Sequence, residues 1–176
     1  MEWLDQCRQW AVASFLRGES VIPVTVENLL ANPTKQAIQA MLQDQESIFL
    51  VDWREEDDAI VASCEDILKT GALSAELVDI DDEPGFAGYL KFRNKRVRFP
   101  WVVGTEDRHI TLYTLNQILK PEYEIRVCID SNGSDTLAFL PLSCKDWAEL
   151  ENAHGKRVGK HFRRIEERPN LFMERW

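Results

Sequence analysis

The chain has 176 residues, 44% of them hydrophobic and 29% charged, with a formal net charge of −9. That composition excludes a disordered chain, a collagen-like fibre and a low-complexity polymer. By surface scaling roughly 70% of the unfolded chain's surface can be buried, enough for a core without metal or disulfide staples. No run approaches the ~18 apolar residues of a membrane helix, and Met1, Glu2, Trp3, Leu4 and Asp5 do not read as a basic-then-apolar leader. The expectation is a cytoplasmic globular protein.

In chain order, residues 2–17 read as an amphipathic helix: Trp3, Cys7, Trp10, Ala11, Ser14 and Phe15 recur at intervals of three and four, with Gly18 following. Thr25, with Asn28 three residues on, marks the start of a short helix that ends before Pro33. Thr34 caps a helix over 35–44 whose apolar stripe is Ala37, Ile38, Met41 and Leu42. The apolar run Ile48, Phe49, Leu50 and Val51 predicts a buried strand ending near Asp52 and Trp53. Glu55, Glu56, Asp57 and Asp58 then stand where a helix should begin, since Ile60, Val61, Cys64, Ile67 and Leu68 continue at helical spacing. Carboxylates suit the positive end of a helix dipole. Gly71 is read as the end of that helix, 77–80 as a strand and 81–85 as a turn.

Beyond this point the pattern changes to β. Residues 86–92 and 97–103 flank a basic turn and predict a hairpin, with Pro100 limiting the second arm. A helix over 111–119 stops at Pro121. Residues 123–130 and 136–142 alternate apolar and polar positions around Asn132-Gly133, a strong hairpin signal. Ser143 caps a further helix with Asp146 three residues on, and a basic, partly helical tail runs from 156 to 168. The order predicts an α+β fold: one domain over 1–176, with a mainly antiparallel sheet built from β-hairpins, helices packed on it and a helical N-terminus.

Charge divides the chain. Residues 1–88 hold 18 acids against 5 bases, net −13, and residues 89–176 hold 12 against 16, net +4. An acidic helical half (1–85) thus precedes a basic, hairpin-rich half (86–176). Such a balance disfavours nucleic acid and favours a basic protein partner. Cys7, Cys64, Cys128 and Cys144 show no Cys-x-x-Cys pair. His154 and His161 have Gly155 and Gly159 between them. Buried, reduced thiols are expected, with no metal and no cofactor.

Three groups of residues bear on chemistry. Asp52 and the carboxylates after it sit at a strand end where Mg²⁺ is sometimes held, but no Gly-rich loop accompanies them. Cys128, Asp130 and His109 would need to meet in space to act as a nucleophile pair. Glu124, Ile125 and Arg126 after Asp107 weakly match the carboxylate–lysine pattern of metal-dependent nucleases. None carries an active site, and no catalytic residue is assigned. The basic ribbon Lys91, Arg93, Lys95, Arg96 and Arg98 reads as a solvated face paired with acidic residues.

The remaining signal is an aromatic anchor among carboxylates. Trp53 adjoins the acidic run, and tryptophans are frequent interface hot spots. The expectation is a non-enzymatic inhibitor or immunity protein, antitoxin-like, that neutralises a basic toxin or nuclease, acting as a monomer or homodimer without membrane contact. Its docking surface is Asp52, Trp53, Glu55, Glu56, Asp57 and Asp58, helped by Asp79, Asp81, Asp82 and Glu83. Both groups follow strand ends, so parallel strands would bring them to one sheet edge. The alternatives are a metal-dependent hydrolase or nuclease using Asp52, or a chaperone-like or regulatory adaptor.

Overall fold

The computed structural model describes residues 22–81, 85–99, 108–133 and 135–173. The helix expected over 2–17 lies outside these residues, as do Trp3, Cys7, Trp10, Asp82, Glu83, Trp101, Trp176 and the second hairpin arm from Pro100 onward.

Helix α1 (Val24–Ala31) starts after Pro23, whose extended backbone at φ −63° occupies the cap position. The expected Thr25 cap is not made: its hydroxyl donates to Asp44 Oδ2 at 2.6 Å, tying α1 to the end of the next helix. That helix, α2 (Lys35–Leu42), begins as predicted, with Thr34 Oγ1 accepting from the Ala37 amide. Strand β1 (Phe49–Asp52) follows, then α3 (Asp57–Leu68) with Asp57 and Asp58 in its first turn. Helix α3 ends at Lys69 in the left-handed conformation rather than at Gly71. Glu65 makes the stop earlier, its carboxylate accepting from the Thr70 hydroxyl and the Gly71 amide.

Strand β2 (Leu73–Asp79) is longer than expected and pairs with β3 (Phe86–Phe92), which pairs with β4 (Lys95–Arg98) across a two-residue turn with Arg93 at φ +53°. After α4 (Arg108–Leu119), β5 (Tyr123–Cys128) and β6 (Thr136–Ser143) form the second hairpin, with a 3₁₀ turn at Ile129–Ser131 between them. Ser143 caps α5 (Cys144–His154), and the tail folds as a 3₁₀ turn, the short α6 (Val158–His161) and β7 (Phe162–Arg164).

This is the α+β, antiparallel, hairpin-built architecture that the sequence predicts. Its strands are shared between two sheets, one of order β1-β6-β5-β7 and one of order β2-β3-β4. The four-stranded sheet is covered on both faces. One face carries Phe49, Val51, Ile125, Val127, Leu137 and Phe139 against α3, α4 and the smaller sheet. The other carries Ile48, Cys128, Ala138, Leu140 and Leu142 against α1, α2, α5 and α6. Phe49 stacks on Phe139 at 5.5 Å, and Trp147 meets Phe162 edge-on at 5.4 Å. Burying both faces of β5 and β6 explains why so little of either strand reaches water.

Candidate functional site

The acidic segment between β1 and α3 divides into two roles. Asp52 turns inward on its own loop: its carboxylate accepts from the Arg54 amide at 2.9 Å and from Arg54 Nε at 3.1 Å. Those bonds hold it below the ordinary carboxylate range. Asp57 is structural, accepting from Arg108 Nη1 at 3.0 Å and from the Thr111 hydroxyl, which locks α3 to α4. Glu55, Glu56 and Asp58 enter no ion pair with the described residues. Glu56 and Asp58 are exposed and Glu55 half-buried.

Trp53 is 46% exposed. Its amide donates to the Asp135 carbonyl at 3.3 Å, and its ring lies under the Arg54 guanidinium at 5.4 Å. Trp53 is thus half-exposed rather than enclosed in either core cluster. The strand before it also departs from expectation. Run 48–51 reads as buried on both faces, yet among the described residues β1 is a sheet edge and Leu50 is 50% exposed.

The second acidic group does not share a sheet edge with the first. Asp52 ends a strand of the four-stranded sheet and Asp79 ends a strand of the three-stranded sheet, so no common sheet edge presents both. Asp79 and Asp81 are exposed at the end of β2.

The other candidates are resolved by their partners. Glu124 and Arg126 lie on one face of β5 and neutralise each other at 2.7 Å, with Arg126 also reaching Glu151 at 2.7 Å. Arg164 joins both carboxylates. An arginine in that position closes an ion-pair network rather than presenting a base. Cys128 is fully buried against α5 and α6, and burial pushes its thiol far up, as it does for Cys64. Asp130 pairs with His161 at 2.7 Å instead of with His109. His109 is buried on α4, where Nε2 meets the Glu167 carbonyl at 3.0 Å and Nδ1 accepts from the Leu171 amide at 3.4 Å. Cys128, Asp130 and His109 are therefore not brought together.

Four of the five ribbon residues are tied down, two inside the smaller sheet and two to the chain around the end of α4. Lys91 and Arg96 flank Glu76, Arg93 meets Glu122, and Arg96 lies over the Tyr89 ring at 3.5 Å. Lys95 reaches across to the carbonyls of Ile118 and Lys120, the C-terminal end of α4, where a cation meets the negative end of the dipole. Among the described residues no group of three or more His, Cys, Asp or Glu side chains could hold a metal ion, and no helix is long and apolar enough to cross a membrane.

Sequence reasoning missed the backbone contribution of β1. In the antiparallel ladder Phe49 faces Phe139 and Val51 faces Leu137, and Trp53 donates to Asp135 in the same register. Hydrogen-bonded pairs alternate in such a ladder. Leu50 and Asp52 therefore turn their backbone groups away from β6. The Asp52 carbonyl is taken by the Glu55 amide at 2.9 Å, which leaves the Leu50 amide, the Leu50 carbonyl and the Asp52 amide along the outer edge. Register cannot be read from a run of four apolar residues, because each could face either way.

Comparison of the chain with protein-family models, with curated proteins and with solved structures finds no match.

Proposed function

We propose that the protein is a non-enzymatic binding protein whose β1–α3 edge docks a basic protein partner, in the manner of an inhibitor or immunity protein that neutralises a basic toxin or nuclease in the cytoplasm. The supporting observation is Trp53, half exposed at the end of an open edge strand and followed by Glu55, Glu56 and Asp58, which no intramolecular cation among the described residues neutralises. An exposed indole supplies a surface that a partner can desolvate, and carboxylates around it raise the rate of encounter with a cation-rich surface. Asp52 and Asp57 act as scaffold for this surface, since both spend their carboxylates on Arg54 and Arg108.

The test is capture of partners by the tagged full chain at low ionic strength, repeated at high salt, followed by kinetics on two variants. Replacing Glu55, Glu56 and Asp58 together with Ser, with Asp57 left in place, is expected to slow association in a salt-dependent way. Trp53→Ala is expected to speed dissociation, costing about 2 kcal/mol or more. The captured partner should be basic, and its toxic or nucleolytic activity should fall stoichiometrically on adding the protein. Capture that ignores salt, or kinetics unchanged in both variants, overturns the proposal.

A further inference from the structure

The open edge of β1 defines how a partner would engage. Leu50 presents an amide and a carbonyl outward, Asp52 presents an amide, and among the described residues no strand pairs there. Resting on the reading of this edge as the docking surface, we infer that the partner adds a strand to it: an extended segment with Lys or Arg at alternate positions, hydrogen-bonded through its backbone opposite Leu50.

The other edges fit such a segment less well. Strand β4 is exposed throughout and carries Lys95, Arg96 and Arg98, which repel a basic strand and shield an edge from pairing. Strand β7 offers three residues, two of them Arg163 and Arg164. Strand β2 carries Leu77, 65% exposed, but no aromatic residue follows it. Only at β1 do unpaired backbone groups, an exposed Leu50 and a half-exposed Trp53 lead into carboxylates outside the ion pairs of the described residues. In strand addition the main-chain bonds hold the segment and the side chains select it. Here selection falls to Trp53, Glu55, Glu56 and Asp58, which favour cations with apolar stems.

The probe is a synthetic heptapeptide of alternating lysine and valine, titrated into the full-length chain with amide signals followed by NMR and hydrogen exchange. Addition at β1 predicts that the Leu50 and Asp52 amides shift and exchange more slowly on binding. The Leu50 amide lies outside the β1–β6 ladder, and proline is accepted at such an edge position. Leu50→Pro should therefore keep the fold and weaken the peptide about tenfold, by removing a donor and leaving the peptide's acceptor unpaired. A peptide N-methylated at alternate residues, which needs no variant of the protein, should fail to bind, as should one with glutamate for lysine. The inference is overturned if the Leu50 and Asp52 amides are already protected in the free chain, if the shifts map to β2, or if Leu50→Pro and the N-methylated peptide bind as the unmodified pair does. If, in that last case, Trp53→Ala and the triple carboxylate variant still weaken binding, the acidic docking surface stands and strand addition alone falls. If no variant matters, both fall.

Discussion

The guanidinium of Arg126 lies over the indole of Trp147, 4.1 Å from its centroid, while the Trp147 Nε1–H donates to the Glu124 carbonyl at 2.8 Å. Strand β5 and helix α5 are joined here by one stacked cation and one hydrogen bond from a side chain to a backbone carbonyl. The Arg126 side chain is 3% exposed and carries two carboxylate partners. Arg126→Ala should lower unfolding free energy by about 3 kcal/mol, because it strands Glu124 in a buried site and removes the stacked contact. Urea denaturation checks this, and Arg126→Lys should recover only part of the loss, since a lysine cannot reproduce the forked bonds.

Two neighbouring carboxylates at the start of α3 should behave differently. Asp57→Ala removes the partner of Arg108 and Thr111 and is expected to cost about 2–3 kcal/mol. Asp58→Ala, exposed in the same first turn, loses mainly a dipole interaction of about 0.3–1 kcal/mol. Parallel denaturation curves for the two variants separate scaffold from surface.

Acid should destabilise the smaller sheet through Glu76. The hydrogen bond from Lys91, aided by the charge of Arg96, lowers its pKa from the ordinary 4.5. A group depressed in the folded state stabilises fully above its unfolded pKa and loses that contribution as pH falls through the folded value. Stability should therefore decline below about pH 4.5, and Glu76→Gln should flatten that part of the profile while lowering stability at neutral pH. Thermal melts at stepped pH read both effects. Glu151 adds to the same slope: burial works to raise its carboxyl, but the bond and charge of Arg126, with Arg164, hold it below its ordinary range.

Thiol labelling should track folding. Burial raises the pKa of Cys64 and Cys128, and of Cys144 less completely. In the native protein at pH 8, a maleimide or alkylating reagent should modify Cys144 ahead of the other two, and denaturant should equalise them. Residue-resolved mass spectrometry after timed labelling decides it; rapid native labelling of Cys128 would contradict its place under α5 and α6.

Local signals in the sequence reported local structure well. Thr34 and Ser143 cap the helices they precede, and the Asn132-Gly133 hairpin is present. What the sequence could not show was set by partners distant in the chain. Strand β7 pairs Phe162 with Cys128 and Arg164 with Arg126, a pairing that three residues cannot announce. The alternation of β5 placed Glu124 and Arg126 on one polar face but gave no sign that α5 would cover it and turn the pair into buried scaffold. At the candidate site the acidic run and Trp53 were legible. Their division into structural Asp52 and Asp57 and uncommitted Glu55, Glu56 and Asp58 depends on Arg54 and Arg108, the latter on a helix some fifty residues away.

The pairing of Phe49 with Phe139 also fixes an order of events during synthesis. Ninety residues separate the two (139 less 49), so β1 leaves the ribosome long before β6 exists. At typical elongation rates that gap lasts about 5–18 s. The β2-β3-β4 meander needs only neighbours and can close during that interval. Strand β1 cannot, and Phe49, Leu50, Val51 and Trp53 wait together as an unpaired apolar stretch. The nascent chain is thus most prone to mispairing at the segment proposed for partner recognition, where the like charges of the carboxylates that follow keep waiting chains apart.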